Sequence, residues 1–225
     1  MNRTVQECVI LFDVDNTLLN NDAMAALLNT YLVENFGEAG RARYNEHYEQ
    51  LRAELGYADF LGAVQRFRND DLTNIDALTL STWLLNFPFA EQLFANALDA
   101  VHHASSLGNP VILSDGDGVF QPHKIATAGL RDAFDEDVLI FIHKEEELAT
   151  IESLYPAKHY VMVDDKIKIL TAMKNQWGDR LTTVSVAQGH YALDASLTAA
   201  YPKADISLQS IGEFVTLRAT DLLGK

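Results

Sequence analysis

One stretch constrains this chain more than any other: Cys8-Val9-Ile10-Leu11-Phe12-Asp13-Val14-Asp15-Asn16-Thr17-Leu18. An apolar run that ends in polar turn residues predicts a strand buried on both faces, as in a parallel sheet. Side chains alternate along an extended chain, so Asp13 and Asp15 lie on one side and two carboxylates converge where the strand ends. Open α/β sheets bind ligands at that edge. Two like charges so close repel and raise a pKa unless a cation sits between them. The pair therefore points to a hard cation, or to an ionised nucleophile beside a proton-bearing acid. The plainer alternative is that both residues only cap the strand and open a turn.

From residue 19 to 88 the period is helical. Asp22 is placed to cap a helix with Met24, Leu27, Leu28, Tyr31 and Leu32 on one face. Tyr44, Tyr48, Leu51 and Leu55 give a second segment. Phe60, Leu61, Val64 and Phe67 give a third, and Leu78, Leu80, Trp83, Leu84 and Leu85 a fourth. Residues 37–40, Gly56 and 69–71 punctuate them. The stretch predicts a small bundle of about four helices inserted after the first strand.

Pro88 closes that block, and apolar spacing from Leu93 to Leu107 predicts one long helix stopped at Gly108. Strands and helices then alternate. Strands are expected at 111–113, 138–142, 160–163 and 181–186, with an edge strand at Ile206 and Leu208. Helices are expected at 122–130, about 145–154, 166–177 and near 210–222. That alternation means right-handed crossovers and a doubly wound parallel sheet. The fold class is thus α/β with an inserted all-helical unit: a core of 1–18 plus 89–225 and an insert of 19–88.

Composition narrows the partners. A net charge of −15 disfavours nucleic acid and anionic membrane, because phosphate neutralisation needs clustered Lys and Arg. No apolar run reaches the roughly 18 residues of a membrane span. The single Cys8 lies inside the first strand, so no internal disulfide forms and a reducing compartment fits. Residues 1–7 are polar and show no targeting signal. The expectation is a cytoplasmic protein whose partner is a small molecule, with the oligomeric state unread.

The four strands expected at 8–12, 111–113, 138–142 and 160–163 each deliver polar groups at their carboxyl ends: Asp13 and Asp15, Ser114, Lys144, then Asp164 and Asp165. In a parallel sheet those ends share one edge. One Asp suits a nucleophile, a Lys and a hydroxyl suit an anion, and further carboxylates suit Mg²⁺, which prefers oxygen ligands. Gly116 is expected to free backbone N–H groups for a phosphate, so Ser114, Asp115, Gly116 and Lys144 form the candidate substrate contacts. Positioning plus charge stabilisation is what phosphoryl transfer needs.

Asp13-Val14-Asp15-Asn16-Thr17-Leu18, Ser114, Lys144 and Asp164-Asp165 resemble, in order, the four motifs of the haloacid dehalogenase (HAD) superfamily, and 19–88 sits where that superfamily carries a C1-type helical cap. The resemblance implies a Mg²⁺-dependent hydrolase that cleaves a small phosphate monoester through an aspartyl-phosphate. Asp13 would be the nucleophile and Asp15 the acid and then the base. Ser114 would hold the phosphoryl oxygens and Lys144 would neutralise them and Asp13. Asp13, Asp165, the Asp15 carbonyl and either a bond or outer support from Asp164 would hold the metal. Asn16 stands where the family more often has Gly, and Asn tolerates the same turn. The dehalogenase branch lacks the second aspartate, since halide leaves without a proton. The phosphonate-cleaving branch needs a cap lysine, and residues 19–88 contain none.

Competing readings remain open here: a sugar phosphomutase of the same layout, a phospho-acceptor signalling module, or a silent binding protein. Lys124 is the fallback for the Lys144 role. Asp115 and Asp117 also suit simple turn residues. His102 and His103 show no metal-ligand spacing, while His143, beside Lys144, is a candidate substrate contact. Arg41, Arg43, Arg52, Arg66 and Arg68 are expected mostly on solvated helix faces.

Overall fold

The computed structural model describes residues 4–73 and 75–223. Residues 1–3, Asn74 and 224–225, which include part of the polar start and of the expected core and insert, lie outside the described residues. Strand β1, Gln6–Phe12, carries the apolar run. Its side chains divide as the pleat demands: Cys8, Ile10 and Phe12 join the core on one face, Val9 and Leu11 the core on the other. Strands β2 (Asn109–Asp115), β3 (Val138–Phe141), β4 (Ala157–Asp164), β5 (Leu181–Val186) and β6 (Ile206–Leu208) complete a sheet of order β3-β2-β1-β4-β5-β6. Every pair in it is parallel. The order reverses between β1 and β4, the place where open α/β sheets leave a crevice.

The insert between β1 and β2 is helical: α1 (Asn21–Leu55), α2 (Phe60–Asp70) and α3 (Ala77–Leu85). Gly37 breaks α1 with φ 68 and ψ 176, a conformation open to glycine and costly for other residues, so two helices follow one another across a kink. The four helical segments of the sequence pattern are therefore present. Leu28, Leu32, Tyr44, Phe60, Phe67, Leu80 and Leu84 are buried and continuous with the core on one sheet face. Aromatic pairs carry that continuity: Trp83–Phe87 (5.1 Å between centroids), Phe87–Phe89 (4.9 Å), Phe89–Phe120 (5.8 Å) and Phe60–Phe120 (5.6 Å). Each such pair contributes about 0.5–1.5 kcal/mol beyond its buried area.

Helices α4 (Ala97–Ser105), α5 (Phe120–Thr127), α6 (Leu130–Ala133), α7 (Leu148–Leu154) and α8 (Ile167–Trp177) connect the strands through β5. Short helices α9 (Gly189–Leu193), α10 (Ala195–Thr198) and α11 (Ala219–Leu222) follow. Ile169, Leu170, Met173 and Trp177 form the buried face of α8 as their spacing predicts.

Three expectations fail locally. The long helix at 93–107 is only α4, because Phe94 N donates to Leu18 O (2.9 Å) and Leu93 bridges Leu19, pairing the strands of chain that leave and re-enter the core. The closing helix at 210–222 splits into a 3₁₀ turn, Ile211–Thr216, and α11. Leu217 between them is extended, and its carbonyl bonds His103 Nε2 at 2.8 Å. The cap of α1 is Asn20, whose Oδ1 accepts from Ala23 N, while Asp22 turns to Asn16 and His190. No helix of the described residues is long and apolar enough to cross a membrane.

Candidate active site

Asp13 follows the end of β1, Lys144 follows the end of β3, Asp164 is the last residue of β4 and Asp165 comes directly after it, so the parallel sheet delivers them to one edge. Carboxylate oxygens of Asp13, Asp164 and Asp165 lie within 4.8 Å of one another, and all three residues are buried. Lys144 is fully buried; its Nζ donates to Asp13 Oδ1 at 2.5 Å and lies 2.8 Å from Asp164 Oδ2. Burial by itself would lower the Lys144 pKa, but Asp13, Asp164 and Asp115 outweigh it and hold the ammonium well above its usual range.

Thr17 finishes the loop: its Oγ1 donates to Asp13 Oδ2 (3.2 Å) and accepts from Asp165 N (3.1 Å). The loop turns at Asn16, φ 62, the left-handed conformation that Asn tolerates. Gly189 packs so close that a Cβ there would lie 2.4 Å from the Asn16 Cβ.

Both carboxylate oxygens of Asp165 are buried without a hydrogen-bond partner. Burial, then the neighbouring Asp164 and Asp13, push its pKa up to about 9. Burial likewise raises Asp164. Buried, unpaired oxygens beside two more carboxylates cost free energy unless protonated or bound to a cation. The donor set, all oxygen, fits a hard divalent ion such as Mg²⁺.

Asp15 goes elsewhere. Its carboxylate lies outside the three-aspartate group and is held by Lys124 Nζ, 2.7 Å from Oδ1 and 2.9 Å from Oδ2. Lys124 therefore serves the second aspartate and not, as the fallback reading had it, the first. Gln121 Nε2 donates to Asp15 Oδ2 (3.2 Å) and to Ser114 Oγ (2.9 Å), so Ser114 is buried against the same amide.

Two expected substrate contacts have structural duties. Asp115 Oδ1 accepts from Lys144 N (2.9 Å), which staples the turn carrying Lys144 to β2; burial lifts its pKa to about 6. The Gly116 N–H is not free: it donates to Phe141 O at 2.9 Å. What Gly116 supplies is room, since a Cβ there would meet Gln121 at 2.8 Å. Asp117 caps the start of α5 through Val119 N and Phe120 N, as a turn residue should.

A cleft of about 430 Å³ opens above this edge, between the insert and the loops after β3, β4 and β5. Asp15 and Asp115 reach it from the core, with Lys166, His143, His190 and Tyr191. Tyr48, Arg52 and Tyr57 reach it from the insert. Of the five insert arginines only Arg52 lines the cleft, and it donates to the Tyr191 hydroxyl. Arg41 and Arg66 pair instead with Glu38 and Glu54 on exposed surface. His103 is part of the fold's packing, not of this cleft.

The sequence pattern missed Gln121, Lys166, Tyr191 and the role of Lys124. A signal existed for two of them: Gln121 and Lys124 stand three apart at the start of the helix that follows Ser114, hence on one face.

Among known proteins, residues 9–175 match the haloacid dehalogenase-like hydrolase family. A crystal structure from Burkholderia xenovorans, described as a haloacid dehalogenase-like hydrolase, is 49% identical, covers 97% of this chain and 99% of its own, and superposes with a TM-score of 0.90. L-2-haloacid dehalogenase from Xanthobacter autotrophicus with chloropropionic acid covalently bound is 18% identical over 93% of this chain and 97% of its own, TM-score 0.61. A magnesium-bound HAD hydrolase of Bacillus subtilis is 18% identical over 94% and 98%, TM-score 0.60. The last two likenesses are of fold alone. No curated protein matches the sequence.

Proposed function

The chain belongs to the haloacid dehalogenase-like hydrolases, and we propose that it is a Mg²⁺-dependent phosphatase of a small, soluble phosphate monoester. The observation that carries this reading is the contrast within one loop: Asp13 is buried among carboxylates and bonded to Lys144, while Asp15 reaches the cleft from separate surroundings. Two carboxylates with different environments suit different tasks. A halide needs no proton to leave; an alkoxide does, and on this reading Asp15 gives it one.

Asp13 attacks phosphorus and forms an aspartyl-phosphate as the ester oxygen leaves with a proton from Asp15. Asp15 then takes a proton from the water that releases phosphate. Lys144 offsets charge on Asp13 and on the phosphoryl oxygens, and Ser114 donates to them once its hydroxyl turns from the Asp115 carbonyl. Mg²⁺ would be held by Asp13 and Asp165, with Asp164 and the Asp15 carbonyl in support, and supplies positive charge where the phosphoryl group gathers negative charge. The helical insert, 19–88, acts as a cap that closes the cleft over a small phosphorylated metabolite and selects it through residues such as Arg52 and Tyr48.

The test is phosphate release from a panel of metabolite esters, from two-carbon acids to nucleotides, with Mg²⁺ and with chelator. Turnover that needs the metal and drops on the order of 10⁴-fold in Asp13→Asn is expected. Metal-independent turnover, or full activity in Asp13→Asn, overturns the reading. An ester isomerised without loss of phosphate would make the protein a mutase instead.

A further inference from the structure

Lys124 is 1% exposed at its side chain, so its three N–H donors have no bulk water to bond. All three find acceptors: Asp15 Oδ1, Asp15 Oδ2 and Asn21 Oδ1, the last at 3.2 Å. Its partner is not in the same position. The Asp15 side chain keeps 23% of its surface exposed and opens on the cleft. A carboxylate that reaches solvent does not need a buried cation in order to be ionised, and burying an ammonium is costly. What the pair secures is direction. An ammonium on both oxygens, with Gln121 Nε2 also on Oδ2, removes the rotation that a half-exposed Asp otherwise keeps.

Helix α5 makes this possible. Gln121 and Lys124 stand at i and i+3, one face of one helix, and that face looks onto the loop carrying Asp15. Asn21, the third acceptor, is the first residue of α1, so the ammonium also ties the loop to the insert. The Lys124 ammonium is spent on Asp15 and Asn21, while Asp13 is bonded by Lys144.

We propose that Lys124 is a positioning residue for Asp15, aiming its carboxylate into the cleft for the two proton transfers of the reaction; this rests on the phosphatase reading above. In the first step an Asp13 oxygen bonds phosphorus, the P–O bond to the leaving group breaks, and the leaving oxygen receives the Asp15 proton. In the second a water oxygen bonds phosphorus, the Asp13–phosphorus bond breaks, and the water proton returns to Asp15. Only the first step's demand for a proton depends on the leaving group. A misaimed Asp15 therefore harms alkyl esters far more than aryl esters.

The experiment measures kcat/KM of Lys124→Met and Asp15→Asn, with Mg²⁺, on glycerol phosphate and on para-nitrophenyl phosphate. For each variant kcat/KM is expected to fall roughly 10²-fold or more on the alkyl ester and by less than about 10-fold on the aryl ester, the size of a general-acid contribution. Lys124→Arg, which can still donate to both oxygens, restores most of the alkyl activity. Gln121→Met, which uncovers no charge, shows the same alkyl-selective loss in weaker form. It also serves as the reporter if Lys124→Met does not fold. Equal losses on both esters in the Lys124 and Gln121 variants, while Asp15→Asn discriminates, make Lys124 a structural ion pair and overturn the proposal alone. Wild-type protein that hydrolyses neither these esters nor any of the metabolite panel overturns the phosphatase reading instead.

Discussion

Lys144 and Lys124 are both buried and both bonded to an aspartate of the same loop, yet the charge around them differs. Around Lys144 stand Asp13, Asp164 and Asp165, with Lys166 as a second cation that acts without a close bond. Around Lys124 stand Asp15 alone and two neutral amides, Asn21 and Gln121. The first region holds more buried carboxyl groups than cations and leaves two oxygens of Asp165 unbonded. The second is balanced, with its ammonium fully bonded. One polar edge thus contains a place that asks for a divalent ion and a place that does not, a few residues apart in sequence.

Removing each lysine puts that contrast at risk most directly. Lys144→Met leaves the buried carboxylates of Asp13 and Asp164 without the ammonium between them and should cost about 3–5 kcal/mol of stability, a fall in Tm of roughly 10–15 °C. Lys124→Met should cost less than half as much, because water reaches Asp15. Equal losses in thermal unfolding would erase the difference between the two regions.

Metal binding gives the next effect. With its folded pKa near 9 against an ordinary 3.8, Asp165 keeps a proton in the native chain that the unfolded chain has lost. Metal-free stability therefore falls as pH rises through that window. Mg²⁺ must displace the proton, so its stabilisation should grow from pH 6 to pH 8, reaching about 2.7 kcal/mol at 100 times the dissociation constant. A Tm shift by Mg²⁺ that is absent, or equal at both pH values, would contradict the surplus-carboxyl account. Asp165→Asn should abolish both the shift and the slope.

The smallest effect concerns the cleft wall. Arg52 is 44% exposed at its side chain and bonds the Tyr191 hydroxyl, so Arg52→Ala should change stability by under about 1 kcal/mol. Raising KM by up to about tenfold with kcat held would mark it as a ground-state contact to substrate. A change in kcat alone would place its role in closure of the insert.

Much of this was legible beforehand, for identifiable reasons. β1 reads as a doubly buried strand because Cys8 to Phe12 are all apolar, and the helical face of α8 shows in the spacing of Ile169, Leu170, Met173 and Trp177. The convergence of Asp13, Lys144, Asp164 and Asp165 follows from strands of one direction. The helix ends near Leu93 and Leu217 were not legible, since each is set by a hydrogen bond to a residue distant in sequence, the Leu18 carbonyl and the His103 ring. Nor was the engaged N–H of Gly116, whose acceptor Phe141 belongs to another strand.

The sequence by itself determined the sheet, the helical insert and the inventory of acids, amine and hydroxyl at one edge, because periodicity and chain direction are local properties. Only the tertiary structure decided which lysine serves which aspartate. That choice depends on how α5 rolls against the loop after β1, and packing between elements sets that roll; no spacing within either element does.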